Sequence, residues 1–319
     1  MLLWKRPRCL KKRLMALAAL AVIMLISLFQ AGCWDRLEPD VLGIVTVVAF
    51  DLDAETGLFT VYAQVANPLG GGTQQDGDGG GGQGKSSIWV VEATGHTVFE
   101  AIKNMELIST RRLQWANVEA VLFSERLARE GIRPVLDILH RERQIRLISR
   151  PFVVQGDLRR PLEAEFPLEQ VGGPAASKLY FTVRGETSFT PKIDSLRELF
   201  RHLTLPGIDA ILPRAVVIAG EEDEGEPAGR PNPVRIGGAA VFRGEKLAGF
   251  LDERETSGYL WLTGKTKRST MVLPCPENEE EFLTVEAFDA TAKLTPLISG
   301  DEVRFKASIH ARGLIQDFT

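Results

Sequence analysis

At 319 residues the chain has room for two or three domains. Its 44% hydrophobic and 25% charged residues exclude both a disordered polymer and a polytopic membrane protein. The formal charge of −4 hides an asymmetry: the first 32 residues carry six cations and no acid, leaving 32 of the 38 bases against all 42 acids, a net of −10. A body that acidic is repelled by phosphate backbones and anionic headgroups, which argues against nucleic acid as a partner.

The cations (Lys5, Arg6, Arg8, Lys11, Lys12, Arg13) precede an apolar run from Leu14 to Phe29 broken only by Ser27. As a helix this run reaches about 24 Å, short of the ~20 residues that usually span a bilayer. A basic cluster, an apolar run and the small pair Ala31-Gly32 together read as a secretory signal peptide over residues 1–32. Cys33 follows at once, as in a lipobox: its thiol takes a diacylglyceryl group and cleavage between Gly32 and Cys33 leaves Cys33 as an N-acylated terminus. Gln30 stands where lipoboxes favour leucine; the alternative is an uncleaved anchor with an incidental cysteine. At about 0.8 kcal/mol per buried CH₂, one acyl chain holds marginally and two hold durably. Cys9 leaves with the signal and Cys33 is acylated, so Cys275 has no partner and no intrachain disulfide is expected.

In the mature chain, Val41–Phe50 and Phe59–Val65 read as strands joined by the polar turn 51–57. Asp51, Asp53 and Glu55 alternate as calcium ligands sometimes do, but the loop is short and lacks a distal bidentate Glu, so it reads as a turn. Residues 70–84 are almost all Gly, Gln and Asp, and read as a loop; Gly77, Gly79 and Gly82 match dinucleotide spacing only by abundance. Ser87–Ala93 resumes as a strand. Thr97–Ser109 follows as a helix with Thr97 as its N-cap, and Val118–Phe123 as a strand. Ser124 opens a helix that stops at Gly131, Arg133–Gln144 gives another, and Ile148–Val154 a strand. Helices are expected at Leu158–Phe166, Ser177–Thr187 and, after Pro191, Lys192–Leu203. Ala210–Ile218 is a strand, 221–233 an acidic Pro/Gly-rich loop, and Arg235–Phe242 and Lys246–Phe250 are strands. A helix at Asp252–Leu262 precedes strands at Ser269–Leu273, Phe282–Ala290 and Val303–Ala311. The fold class is α+β and multidomain, with mixed sheets and packed helices. The segments are a signal peptide (1–32), an N-terminal α+β domain (33–156), a middle α+β domain (157–265) and the start of a C-terminal domain (266–319).

No chemistry-bearing cluster stands out. His96, His140, His202 and His310 are scattered without metal-ligand spacing, so no metal or cofactor is expected. There is no nucleophile elbow, P-loop or kinase set, and the carboxylates are diffuse, which gives no reason to expect an enzyme. Trp89, Trp115 and Trp261 fall in expected strands or helices, where core packing is the ordinary role.

Several blocks, in order, resemble the Ger(x)C family of spore germination lipoproteins. They are Gly32-Cys33-Trp34-Asp35-Arg36 with Val41-Leu42-Gly43-Ile44-Val45; Gln64-Val65-Ala66-Asn67-Pro68; Thr97 with Ala101-Ile102; Ser124-Glu125-Arg126-Leu127-Ala128 with Gly131-Ile132, Asp137 and Arg141 to Arg146; and Gly238-Ala239-Ala240-Val241-Phe242 with Lys246-Leu247-Ala248-Gly249, Leu251, Glu255-Thr256 and Gly258 to Leu262. The family's Gly-His before a core strand is replaced by Ala116-Asn117, and relatives continue beyond Gly313-Leu314-Ile315, so the last domain is expected to be truncated. The resemblance implies a non-catalytic scaffold or coupling subunit of a nutrient germinant receptor. It would be lipid-anchored through Cys33 on the outer surface of the inner spore membrane, beside an A and a B membrane subunit. The competing reading is a surface lipoprotein that captures a solute.

Overall fold

The computed structural model describes residues 8–29, 41–66, 88–142, 144–164, 169, 172–217, 234–266, 268–276, 278, 281–300 and 302–318. The chain divides into two units, 1–42 and 43–319. The first contributes one described helix, α1 (Arg8–Phe29). No helix among the described residues is long and apolar enough to cross a membrane. Gly32, Cys33, the Gly-rich stretch 70–84 and the acidic stretch 221–233 lie outside the described residues.

The second unit is built on a nine-stranded mixed sheet. Its strands are β1 (Leu42–Leu52), β2 (Phe59–Ala66), β3 (Ile88–Gly95), β4 (Arg112–Gln114), β5 (Ala120–Ser124), β6 (Arg150–Gln155), β7 (Ile211–Val217), β8 (Val234–Arg243) and β9 (Lys246–Leu251). The order is β3-β2-β1-β5-β6-β7-β8-β9, with β4 also on β1. β1, β2 and β3 form an antiparallel meander. β1, β5, β6 and β7 run parallel, with Val47 beside Ala120, Ala120 beside Arg150 and Val153 beside Arg214. β8 and β9 return antiparallel. The boundary expected at residue 156 thus falls between adjacent strands of one sheet, because hydrogen bonding from β6 to β7 carries the sheet across it.

The central strands are buried almost without interruption, as they must be when helices cover both faces. Over one face, Val48, Phe50, Val121, Phe123, Val153 and Phe242 pack on α2 (Val98–Ile108), α3 (Glu125–Glu130), α4 (Arg133–Arg141) and α7 (Leu196–Thr204). Over the other, Val47, Ala49, Leu122, Phe152 and Val154 meet α5 (Arg159–Glu163) and α6 (Gly172–Glu186). The Phe50 and Phe123 rings stack with centroids 6.4 Å apart. Each such buried aromatic contributes about 1.5–3 kcal/mol.

Local chemistry sets the helix ends. Thr97 Oγ1 accepts the Glu100 N–H at 3.1 Å, Ser124 Oγ accepts that of Leu127 at 3.0 Å, and Gly131, at φ +127°, closes α3. Each cap is worth about 1 kcal/mol. α7 begins four residues later than its apolar spacing suggests. The buried Tyr180 hydroxyl lies 3.0 Å from the carbonyls of Pro191 and Ile193 and holds that stretch out of helix, so Ser195 becomes the cap. Trp115 is buried in a 3₁₀ turn and Trp261 is half-buried, but Trp89 is 43% exposed on the edge strand β3, outside the core expected for it.

The Gly237-Gly238 pair ties three elements together. Gly238 adopts φ +80° and donates to the Phe189 carbonyl at 2.7 Å, while Arg214 Nε on β7 donates to the Gly237 carbonyl at 2.9 Å. Glu253, at the start of α8 (Glu253–Leu262), lies 3.1 Å from Arg235 Nη2 and 3.9 Å from Arg214 Nη2. Asp252 and Glu255 cap α8 reciprocally.

A second sheet, β10 (Arg268–Pro274), β11 (Phe282–Ser299) and β12 (Glu302–Phe318), is antiparallel. β11 and β12 extend well past the expected spans 282–290 and 303–311. Alternation sorts their side chains: Leu294, Pro296 and Ile298 pair with Ala307, Phe305 and Val303 on one face, and Lys293, Thr295 and Leu297 with Ser308, Lys306 and Arg304 on the other. The apolar face is open, with Ile298 at 73% and Phe305 at 67% exposure.

Candidate functional site

The chain leaves β1 toward β2 and β3, then returns through α2 and β4 to place β5 on the opposite side of β1. A reversal of this kind opens a crevice outside the carboxyl ends of the parallel strands, where open α/β sheets bind ligands. A cavity of about 500 Å³ lies there, lined by Asp51, Tyr62, Ser124, Glu125, Arg126, Arg129, Gly156, Asp157 and Leu158. These residues come from the ends of β1, β5 and β6, the first turns of α3, and β2.

Asp51 is the centre of it. The register that aligns Phe50 with Phe123 puts Asp51 beside Ser124. Its carboxylate is almost fully buried and accepts from the Leu52 N–H at 2.8 Å, from the Ser124 hydroxyl and from the Arg126 guanidinium. The Asp51 partnership holds the Arg126 pKa above its already high ordinary value, while the rest of that guanidinium reaches solvent. Glu125 holds Arg129 through two contacts, at 2.9 and 2.6 Å. On the far wall Tyr62 stands between Ala49 of β1 and Glu92 of β3. Burial, then Glu92, Asp51 and Asp157, push its hydroxyl pKa up, so it stays a proton donor. Asp157 accepts the Arg159 N–H at 2.9 Å and has Arg160 4.0 Å away.

Ser124 is committed twice, as donor to Asp51 and as acceptor for the N–H of Leu127, and no described lining residue is a histidine or cysteine to activate it. No described cluster of His, Cys, Asp and Glu has metal-binding geometry. In the β1–β2 turn Asp53 accepts the Glu55 N–H at 2.9 Å, a bond that lowers its pKa, and the Gly57 N–H reaches the Asp53 carbonyl at 2.8 Å. The alternating acids are turn-formers, with Asp51 turned inward. Sequence reasoning weighed Asp51 only with Asp53 and Glu55 and passed over Tyr62, Arg126 and Asp157. The available signal was one polar residue closing each of two apolar strands, Asp51 and Ser124.

His202, like Asp51 and Tyr180, is a buried side chain of ionisable type. Its Nδ1 has no hydrogen-bond partner, its Nε2 is 4.0 Å from Glu198, and burial lowers its pKa. Glu198 opposes that shift, and Lys265 and Arg201 add to it. The unfolded chain therefore takes up this proton first as pH falls. Folding stability should decline below about pH 6.5, and His202→Leu should flatten that decline. Urea midpoints across this range, compared between parent and variant, check it.

Two family models match in succession: "Spore germination protein N-terminal domain" over residues 35–217 and "Spore germination B3/ GerAC like, C-terminal" over 237–319. Among curated relatives, putative spore germination protein YfkR of Bacillus subtilis (strain 168) is 25% identical, covering 92% of this chain and 73% of its own length. Spore germination protein KC of the same strain is 24% identical, covering 93% and 74%. Spore germination protein GerQC of Bacillus cereus is 20% identical, covering 93% and 76%. A solved structure, "Crystal Structure of the GerBC protein", aligns at 15% identity with a TM-score of 0.46, over 85% of this chain and 71% of that one. With the two models following one another over most of the residues after Cys33, the chain belongs to the Ger(x)C family of spore germination proteins.

Proposed function

We propose that the chain is the C-type subunit of a nutrient germinant receptor, a scaffold or coupling element without chemistry of its own. It works beside A and B membrane subunits on the outer surface of the inner spore membrane, tethered by lipid on Cys33. The observation that carries this reading is the succession of both family models along the chain, over residues 35–217 and 237–319. The basic and apolar leader ending in Ala31-Gly32-Cys33 supports the tether, since two acyl chains hold a water-soluble body durably without a span.

Cys33→Ser should abolish incorporation of labelled palmitate, release the protein from the membrane fraction and lower nutrient-triggered germination. Undiminished label in the variant refutes the anchor. Affinity purification of the tagged parent from spore membranes should recover the A and B subunits, and their absence refutes the receptor assignment. The second reading, direct capture of a solute, is favoured by one observation, the crevice at the carboxyl ends of β1, β5 and β6.

A further inference from the structure

We infer that the crevice between Tyr62, Arg126 and Asp157 is a binding site for a small neutral polyhydroxylated molecule. Three features carry this. The first is position: the cavity sits at the topological switch point of the parallel strands, and its volume of about 500 Å³ is ordinary for a small-molecule site.

The second is charge. Each carboxylate of the lining already has a guanidinium beside it (Asp51 with Arg126, Glu125 with Arg129, Asp157 with Arg160), so the described lining offers a free anion no uncommitted cation. Arg126 is already committed to Asp51, and drawing it off would strand a buried carboxylate. A hydroxyl group is donor and acceptor at once. It can give its proton to Asp157 and accept from the outer N–H groups of Arg126 without separating the existing ion pair.

The third is a polar group with no present role. The Tyr62 hydroxyl makes no hydrogen bond to any described residue, although the side chain is half-buried. With Leu158 behind it, Tyr62 offers an apolar ring face and a donor tip, which suits a molecule with C–H faces and hydroxyl edges.

The inference rests on the crevice alone and stands apart from the tether and the receptor partners. The test is ligand-observed saturation-transfer NMR on the full chain, in a detergent without sugar headgroups. The probes are myo-inositol and methyl glucoside as neutral polyols, alanine as a zwitterion and inorganic phosphate as an anion. Transfer to the polyols is expected, with affinity reduced about tenfold in Tyr62→Phe and in Asp157→Asn. Thermal melts of both variants, matched to the parent, show that the fold is kept. Absence of polyol transfer overturns the inference, as does transfer unaltered by both variants or tighter binding of alanine or phosphate. None of these outcomes bears on palmitate labelling or on recovery of the membrane subunits.

Discussion

Gly238→Val should lower the stability of the folded unit by about 3 kcal/mol or more, the sum of a left-handed backbone forced on a β-branched residue and of overpacking. Gly238 sits at φ +80°, and a Cβ there would lie 2.5 Å from the Leu251 carbonyl oxygen and 2.8 Å from Arg214 Nε. Neither neighbour can yield. The carbonyl is backbone of β9, and Arg214 is held by the Gly237 carbonyl with Glu253 nearby. Gly258, exposed on α8 with open space where its Cβ would be, is the control. Gly258→Ala should be neutral or stabilising by about 0.5–1 kcal/mol. Urea midpoints read at equal slope separate the two, and similar midpoints for both variants would show that the Gly238 turn is not rigid. The family-like block Gly238-Ala239-Ala240-Val241-Phe242 thus has a physical reason: one residue without a side chain where three elements meet.

The second large effect concerns the open face of the β11–β12 ribbon. Ile298, Val303, Phe305, Leu294 and Ile309 are each more than two-fifths exposed and lie on one side of a long two-stranded hairpin. Contiguous apolar surface of this kind drives association in water. The purified chain should self-associate with concentration in sedimentation velocity, and the double change Ile298→Glu with Phe305→Lys should shift the profile strongly toward monomer. Because α1 is present in both proteins, its own apolar surface does not confound the comparison. An unchanged profile would mean that the ribbon face is not what associates.

The sequence carried the identity of most elements and little of their company. Apolar period and caps locate β1, β2, α2, α3 and α8 within a residue or two, because Thr97, Ser124 and Asp252 act locally. Parallel pairing is another matter: nothing near Val47 signals that its neighbour is Ala120. That is why a sheet running from β3 to β9 across residue 156 is not legible in the sequence. β4 is too short to show a period, and the start of α7 depends on a tyrosine eleven residues before its first carbonyl partner. The crevice was illegible for the same reason: Asp51 and Arg126 are 75 residues apart in sequence and meet only once β1 and β5 are side by side.

That separation also orders events in time. β1 finds β2 as soon as the hairpin is made, yet its other edge waits for β4 and β5, and β6 in turn waits for β7. Such sequence-distant closures slow folding relative to helical domains, since chain entropy is lost before contacts return it. A polypeptide emerging N-terminus first therefore holds its three-stranded meander with one hydrophobic strand edge open until the β4 and β5 segments arrive. During that interval the open edge is free to pair with another chain, which is the hazard an unpaired strand carries.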